Sequence, residues 1–301
     1  MTLHCWTSAR YTVALPTNHR FPIAKYALLR DAVLASGLVA PAHLHEPERA
    51  SVESLRLVHT ERYVQAVLSG TLSDAEQRRI GLPWSESLVE RSFRAVGGTC
   101  EAATAALDLG VTMNLAGGTH HAFPDHGEGF CVFNDAAVAI RSLQRTGRIR
   151  RVAVIDLDVH QGNGTHAIFT GDPSVFTFSM HGGRNYPFHK VPGSLDVELP
   201  DGTGDDAYLG ALGEALPRVL SASAPDLAIY LAGADSHQGD RLGRLCLTFD
   251  GLARRDVMVL DACREVGIPV AITIAGGYGR NIEDSVRVHL NTVRIASELA
   301  R

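Results

Sequence analysis

Two types of apolar pattern alternate along most of the chain. Short unbroken runs rich in β-branched residues are typical of strands buried on both faces of a parallel sheet. Such runs lie at residues 111–115, 152–157, 175–180, 227–231 and 270–274, with a shorter one at 2–6. Longer segments with a 3.6-residue apolar period or a high alanine content predict helices. These lie at residues 24–36, 60–68, 88–109, 134–143, 206–220, 251–266 and 281–299.

The order of these segments predicts the fold class. Strands and helices alternate from residue 111 onward, which indicates an α/β fold with a parallel central sheet and helices on both faces. No linker or repeat interrupts the pattern, so we predict a single domain over residues 1–301. Residues 69–87 are rich in glycine, serine, proline and charge around Leu82-Pro83-Trp84, which predicts a loop.

Polar residues follow the central apolar run. The run at 152–157 leads into Asp156, Asp158 and His160, which are spaced two residues apart. Alternate side chains of an extended backbone share one face, so these three can converge on one point. Two carboxylates and an imidazole suit zinc or another divalent metal. Taken alone, Asp-x-Asp is also typical of magnesium-phosphate sites and of helix caps, and both readings stay open here.

Four predicted strands end in reactive residue types. The endings are His120-His121, the stretch 156–160, Asp235 and Tyr278. In open parallel sheets, binding sites form where strands end at the carboxyl edge, so we expect these side chains to share one site. Asp158, His160 and Asp235 would supply three metal ligands and leave a position open for water and substrate, as in catalytic zinc sites.

The expected chemistry follows from these residue types. A bound metal lowers the pKa of water and polarises a carbonyl. The paired histidines can act as general base, general acid and electrostatic support. Tyr278 can donate a hydrogen bond to a developing oxyanion. Asp156 and Asn163 could each bind the second ring nitrogen of a histidine. Together these parts describe metal-assisted hydrolysis of an amide.

Composition narrows the function class. The net charge is −5 and no basic cluster stands out along the sequence, so we expect no nucleic-acid partner. No apolar run approaches the roughly 20 residues that a membrane helix needs, so we expect no membrane partner. The first residues lack the features of a signal peptide, and the five scattered cysteines form no Cys-x-x-Cys pair. We therefore expect reduced thiols and a cytoplasmic location.

Five motifs carry a resemblance that covers nearly the whole chain. The sequence resembles the zinc-dependent histone deacetylase family, which has the arginase/deacetylase fold, and is most similar to the class IV branch and its bacterial relatives. The motifs stand in the family's order: Gly117-Gly-Thr-His-His121, Gly129-Phe-Cys-Val-Phe-Asn-Asp135, Asp156-Leu-Asp-Val-His-Gln-Gly-Asn-Gly164, Ala232-Gly-Ala-Asp235 with Gly239-Asp-Arg-Leu-Gly243, and Gly276-Gly-Tyr278.

The resemblance implies a role for each matching residue. It implies that one zinc ion is bound by Asp158, His160 and Asp235. His121 would transfer the proton, with His120 as its electrostatic companion, and Tyr278 would polarise the carbonyl. The other catalytic positions implied are Asp156, behind His120, and Asn163.

The resemblance also implies a structural ion and a substrate tunnel. A potassium ion would be bound by Asp156, Ser179 and backbone carbonyls of Asp158, His160 and Met180. Phe130 and Tyr186 would form the aromatic walls of an acyl-lysine tunnel. Gly129 would accept the substrate amide, and Gly276 and Gly277 complete the implied substrate-binding set. The implied partner is an acylated lysine of a protein or a small acylated amine; the oligomeric state is left open.

Two positions depart from many class I relatives. Asn163 stands where they have an aspartate behind the second histidine, which predicts a less basic His121. Lys25 stands where these relatives have an arginine near the pocket floor. Lysine keeps the positive charge but lacks the planar guanidinium group that binds carboxylates in a bidentate way.

Three further functions compete with lysine deacylation. The first is deacylation of a small amine such as an acetylpolyamine, which a narrow gate and an acidic residue at the mouth would favour. The second is a catalytically idle protein that binds acyl-lysine, and the intact set of ligands, histidines and tyrosine argues against it. The third is a dinuclear manganese hydrolase, whose extra ligand positions the motif does not fill.

Overall fold

A computed structural model describes residues 2–300 of the chain, and eight parallel strands form one sheet within them. The order across the sheet is β2-β1-β3-β8-β7-β4-β5-β6. The strands are β1 (His4–Trp6), β2 (Leu44–His45), β3 (Val111–Asn114), β4 (Val152–Asp156), β5 (Val175–Gly182), β6 (Leu195–Leu199), β7 (Leu227–Ala232) and β8 (Val270–Ile274).

Ten α-helices accompany the sheet within the described residues. They are α1 (Lys25–Ser36), α2 (Val52–Leu55), α3 (Glu61–Ser69), α4 (Asp74–Ile80), α5 (Glu86–Leu109), α6 (Asp135–Arg145), α7 (Asn163–Phe169), α8 (Asp205–Ser223), α9 (Phe249–Glu265) and α10 (Ile282–Leu299). The predicted α/β class, with a parallel sheet between helices, is confirmed. The prediction of a single domain over residues 1–301 stays a prediction.

The central strands are apolar because both faces of the sheet are covered. Along β4, Val152 and Val154 join one buried cluster, which also contains residues of α5 and α6. Ala153 and Ile155 join a second cluster on the opposite face, which contains residues of α8, α9 and α10. Successive side chains of a strand point to opposite faces, so a strand between two helical layers has no polar face.

The predicted loop at 69–87 is wrong in its middle, where α4 forms. The Ser73 side chain accepts a hydrogen bond from the backbone N–H of Glu76, and the Glu76 side chain accepts one from the backbone N–H of Ser73. This capping box satisfies two amides that the helix itself leaves unpaired. Helix α4 is mostly polar, so apolar periodicity could not reveal it, whereas Ser-x-x-Glu could.

Further elements were absent from the sequence-based prediction, among them β2, β6 and α7. Strand β6 alternates apolar and polar residues at the edge of the sheet and pairs with β5. Helix α7 directly follows the stretch that carries the predicted metal ligands, and it is too short for an apolar period. No helix among residues 2–300 combines the length and the apolar character needed to cross a membrane.

Candidate metal centre and active site

Three buried side chains converge at the carboxyl edge of the sheet. Asp158 and His160 follow β4, and Asp235 follows the adjacent strand β7. Each offers one ligand atom, and these atoms all lie within 4.8 Å of one another. The Nδ1 atom of His160 lies 2.9 Å from Asp158 Oδ1 and 3.2 Å from Asp235 Oδ2. The three residues predicted as metal ligands therefore form one cluster.

The surroundings of the two carboxylates fit a cation. Asp158 Oδ2 accepts a hydrogen bond from Gly276 N (2.6 Å), and Asp235 Oδ1 accepts one from Val159 N (2.9 Å). Asp235 Oδ2 is buried and has no hydrogen-bond partner among the described residues. Burial and the neighbouring Asp158 carboxylate raise the pKa of Asp235 to about 7. Two buried carboxylates this close need a positive charge, and an oxygen/nitrogen donor set suits a divalent metal such as zinc.

The pKa of His160 also indicates that the two carboxylates attract a positive charge. Burial lowers its pKa, but the Asp158 and Asp235 carboxylates outweigh burial and raise it to about 10. A proton on His160 therefore offsets one of the two carboxylate charges when no metal is bound. Since a metal ligand must be deprotonated, a divalent ion would replace this proton.

Gly276 allows the segment after β8 to lie against the cluster. A Cβ atom at this position would overlap the Asp235 carboxylate and would lie close to Asp158 Oδ2. A side chain there would displace a ligand atom. Gly277 lies differently, because a Cβ atom there would face Ala234 and His289. Gly276 therefore borders the metal cluster, whereas Gly277 packs away from it.

The two adjacent histidines have different partners and different charges. Asp156 Oδ2 lies 2.6 Å from His120 Nδ1, and Asn163 Oδ1 lies 2.7 Å from His121 Nδ1. Burial lowers the pKa of His120, but Asp156 and Asp158 raise it to about 9.

Burial, and then the nearby His120 and His160, hold the pKa of His121 well below its usual value. At neutral pH, His120 is therefore the charged ring of the pair and His121 the neutral ring that can accept a proton. The neutral amide of Asn163 adds no charge that would reverse this order. It stays a prediction that the asparagine makes His121 less basic than an aspartate at position 163 would.

Tyr278 presents a protonated hydroxyl to the same region. Its ring centroid lies 6.2 Å from that of His160, and its backbone N–H donates to Asp240 Oδ2 (2.6 Å). Burial, together with the Asp158 and Asp235 carboxylates, raises its pKa well above the usual value. The phenol therefore stays a hydrogen-bond donor at every physiological pH.

A cavity of about 420 Å³ connects the surface with this cluster. His121, His160 and Tyr278 line it together with Phe130 and Tyr186. The Tyr186 and His121 rings lie edge to face with centroids 5.0 Å apart. The structure therefore brings both predicted aromatic residues to the cavity that leads to the predicted metal ligands.

The wall around Phe130 has an unusual backbone. Gly129 has a φ of 58° and Phe130 a φ of 67°, in the left-handed region that bulky residues rarely adopt. The backbone N–H groups of Gly129 and Phe130 donate to the carbonyl oxygens of Arg79 and Ile80, at the end of α4. Helix α4 therefore fixes the strained segment that places the Phe130 ring in the wall.

A smaller inner cavity of about 30 Å³ lies behind Tyr278. Lys25 and Gly276 are among the residues that line it. Lys25 is almost fully buried, and its Nζ atom donates to the carbonyl oxygen of Ala275 (2.9 Å). The lysine predicted at the pocket floor therefore lies there. Leu82-Pro83-Trp84 lines neither cavity, because Leu82 is buried and Trp84 Nε1 donates to Val67 O (2.7 Å).

The residues expected to bind potassium lie on adjacent strands. Asp156 at the end of β4 is in register with Ser179 on β5, and both are buried. Ser179 Oγ lies 2.9 Å from His181 Nδ1, and Met180 is buried beside it. The positions agree with a shared site, while the ion itself stays a prediction.

Glu128 was missed by the sequence reasoning although it directly precedes Gly129. Its Oε1 atom accepts a hydrogen bond from Asn163 Nδ2 (2.7 Å), and His126 Nε2 lies 3.8 Å from its Oε2. A chain of contacts therefore runs from His121 through Asn163 to a carboxylate. Its position next to Gly129, the expected substrate contact, was the sequence signal that could have identified Glu128.

Arg255 on α9 was also missed. It is fully buried, and its Nη1 atom donates to the carbonyl oxygens of Gly233 (2.6 Å) and Leu157 (3.4 Å). Its Nε atom donates to Asp256 Oδ1 (2.9 Å). One guanidinium therefore joins the segments that precede Asp158 and Asp235. A single arginine in a helix gives no sequence signal for such a role.

The fold and site define an α/β protein with a buried carboxylate-histidine cluster at the inner end of a surface cavity. The family model "Histone deacetylase domain" matches residues 19–293. An uncharacterized protein of Picosynechococcus sp. is 48% identical over 289 residues, which cover 96% of each chain. Histone deacetylase 2 of Arabidopsis thaliana is 34% identical over 281 residues, which cover 89% of this chain and 73% of that protein.

A solved structure gives the same assignment. The crystal structure of an HDAC homolog from Aquifex aeolicus superposes with a TM-score of 0.87 at 25% identity, over 100% of this chain and 84% of that one. The chain therefore belongs to the histone deacetylase family, and the resemblance stated from its motifs is confirmed.

Proposed function

We propose that the protein is a zinc-dependent amidohydrolase that removes acetyl or other acyl groups from lysine side chains of proteins. The observation that carries the proposal is the juxtaposition of the metal-ligand cluster with His121 and Tyr278 at the end of one cavity. An acylated lysine has a long apolar stem and a neutral end, which suits a cavity walled by Phe130 and Tyr186.

Asp158, His160 and Asp235 would bind the zinc ion. The bound ion would supply Lewis-acid polarisation of the carbonyl and acidify water at the site. We further propose that Asp156 and Ser179, with the carbonyls of Asp158, His160 and Met180, bind a structural potassium ion.

The remaining steps belong to side chains of this chain. Neutral His121 would take a proton from the attacking water and return it to the leaving amine. Charged His120, paired with Asp156, would stabilise the negative charge that develops. The Tyr278 hydroxyl would donate a hydrogen bond to the carbonyl oxygen as it becomes an oxyanion.

Four further residues would contribute to substrate positioning and product binding. The Gly129 carbonyl would accept the substrate amide, and Gly276 would keep the far wall narrow. Gly277, which packs behind that wall, would act only through its backbone. Lys25 would place a positive charge beside the small inner cavity, where a carboxylate product could bind.

The proposed setting is the cytoplasm, with residues 1–301 forming one catalytic domain. All five cysteines are free, which suits a reducing compartment.

The experiment that tests the function compares three substrates with the zinc-loaded protein. An acetyl-lysine peptide, a longer-acyl peptide and an acetylpolyamine are assayed for amine release, with and without a chelator. We expect turnover of at least one peptide, loss of activity with chelator, and recovery with zinc. Asp235→Ala should abolish turnover because it removes a ligand. Binding of the peptides without turnover of any substrate would instead support an idle acyl-lysine-binding protein.

A further inference from the structure

The mouth of the large cavity is lined by arginines. Five of the residues that line this cavity are arginine, whereas none is aspartate, glutamate or lysine. The rim arginines, as we call this set, are Arg20, Arg78, Arg79, Arg184 and Arg244. All five are exposed. The whole chain has a net charge of −5, so this local excess of positive charge does not follow from its composition.

The rim arginines are poorly neutralised by the protein itself. Arg184 and Arg244 share one carboxylate, Asp201, at 3.6 Å and 3.1 Å. Arg20, Arg78 and Arg79 have no carboxylate within 4.0 Å among residues 2–300. At least three guanidinium groups at one opening therefore remain free to bind an anion. Like charges around a cleft add their fields and attract oppositely charged ligands.

The fold places these arginines around the opening from four separate segments. Arg78 and Arg79 form the last turn of α4, whose end is hydrogen-bonded to Gly129 and Phe130 in the cavity wall. Arg184 follows β5, and Arg244 lies between β7 and α9.

The segments that carry Arg184 and Arg244 are tied together. Asn185 Nδ2 donates to the carbonyl oxygen of Leu242 (2.7 Å), and Asn185 Oδ1 accepts from the backbone N–H of Arg244 (3.2 Å). The same segment reaches Arg20, whose carbonyl oxygen accepts from Arg241 Nη2 (3.4 Å). The rim is therefore built on hydrogen-bonded backbone, although its side chains are exposed.

We propose that the rim arginines select acyl-lysine substrates whose neighbouring residues are acidic. This inference rests on the proposed function, because an acylated lysine in the cavity leaves its flanking residues at the mouth. Carboxylates there can form bidentate hydrogen bonds with guanidinium groups. Polyamines and lysine-rich segments carry the same sign of charge as the rim, so it repels them. The acetylpolyamine alternative would need the opposite charge at this place.

Peptides that differ only in their flanks test the proposal. Acetyl-lysine peptides with aspartate and glutamate, with glutamine and serine, or with lysine and arginine flanks are assayed with the zinc-loaded protein. We expect kcat/KM to be about tenfold higher for acidic than for basic flanks at low salt. The difference should lie in KM, and it should shrink as ionic strength rises.

Charge reversal at the rim provides the matched variant. Arg78→Glu/Arg79→Glu should bring the ratio of acidic to basic kcat/KM to about one or below. Arg218→Glu serves as the control. Arg218 is exposed near the end of α8, which leads into the amino-terminal end of β7, whereas the cavity lies at the carboxyl edge of the sheet. It should leave the ratio as in the original protein. Equal loss of the preference in both variants would overturn the proposal, since it would show an effect of net charge alone.

Binding gives a readout independent of turnover. Fluorescence anisotropy with the Tyr278→Phe variant should show tighter binding of the acidic peptide. Turnover without any flank preference overturns the inference and leaves the proposed function standing. Absence of turnover on every peptide contradicts the proposed function, and anisotropy then decides the inference by itself.

Two further ligands test whether the rim arginines bind a different anion, namely a nucleic acid or an acidic acyl group. A single-stranded oligonucleotide that binds more tightly than the acidic peptide would overturn the proposal in favour of a nucleic-acid surface. Faster hydrolysis of a succinyl-lysine peptide with neutral flanks than of the acidic acetyl peptide would also overturn it. That result would show that the arginines recognise the acyl group.

Discussion

At the scale of single residues, the two histidines differ because their second ring nitrogens meet different partners. His120 faces the Asp156 carboxylate, whereas His121 faces the Asn163 amide. Asn163 in turn donates to Glu128. A carboxylate thus stands one residue further from His121 than in a direct histidine-aspartate pair, and it stabilises a charged His121 less.

The Asn163→Asp/Glu128→Gln variant should shift the acidic limb of the kcat/KM profile by about one pH unit toward higher pH. The new carboxylate favours charged His121 and raises its pKa, and activity needs the neutral ring. Asn163→Asp alone should shift the limb less, because it places two carboxylates in contact, which then share a proton. Glu128→Gln is the matched control. The account fails if the double variant has the original pH profile.

Tyr278→Phe should lower kcat by about 10²–10³-fold, because it removes a hydrogen-bond donor that acts as the oxyanion forms. The metal ligands are untouched, so zinc content measured by atomic absorption should stay at one ion per chain if the proposed site is correct. A fall in kcat of less than tenfold would show that Tyr278 is not the donor.

At the scale of elements, α9 is joined through a buried charge to the segments that carry the proposed metal ligands Asp158 and Asp235. Arg255 donates to the carbonyls before Asp158 and Asp235, and Asp256 neutralises it. The Asp256 carboxylate also accepts hydrogen bonds from the hydroxyls of Tyr230 on β7 and Thr292 on α10. This network holds the ends of β4 and β7 at a fixed separation.

Arg255→Met should lower the free energy of unfolding by about 3–5 kcal/mol, because it leaves Asp256 as an uncompensated buried charge. It should also weaken zinc binding, since the ligand segments lose their shared anchor. Urea denaturation of the metal-free protein measures the first effect. Arg254→Met changes the exposed neighbour and should stay within about 0.5 kcal/mol. Similar losses in both variants would contradict the proposed network.

At the scale of the whole molecule, the cluster of Asp158, His160 and Asp235 couples stability to pH. The pKa of Asp235 is raised from 3.8 to about 7, and that of His160 from 6.5 to about 10. A raised pKa contributes stability that is complete below the unfolded value and is lost as pH rises through the folded value. The metal-free protein should therefore become less stable as pH rises, through Asp235 between about 4 and about 7 and through His160 between about 6.5 and about 10.

Zinc should remove this dependence. At a free concentration of 100 times the Kd it should stabilise the folded protein by about 2.7 kcal/mol. Because the ion replaces protons, the zinc-induced rise in Tm should be larger at about pH 8 than at about pH 6. Scanning calorimetry with chelator or with zinc measures both values. An unchanged zinc-induced rise in Asp235→Asn would show that the ion binds elsewhere.

The strands and the positions of the candidate site residues could be predicted because both depend on local sequence. A strand buried on both faces must be apolar, as β4, β7 and β8 are, and the residues just after it lie at the edge where ligands bind. The spacing of two in Asp158 and His160 places both on one face. Strand burial and side-chain spacing each depend on a few consecutive residues, so both can be inferred from the sequence alone.

Helix α4, the rim arginines, Glu128 and Arg255 could not be found in this way. Helix α4 depends on a capping box. The segment that it holds in the cavity wall, Gly129 and Phe130, lies about fifty residues further along the chain. The rim arginines are scattered over more than two hundred residues. The charges next to each of them along the sequence do not indicate that the five lie together around one opening.

The sequence by itself therefore determined the family through its motifs, and the parallel sheet and the candidate metal ligands through periodicity and strand-end position, which act locally. Only the tertiary structure decided which charges surround the entrance and which buried arginine anchors the ligand segments. Electrostatic interactions act through space, so the charge at the cavity mouth depends on how distant segments fold together.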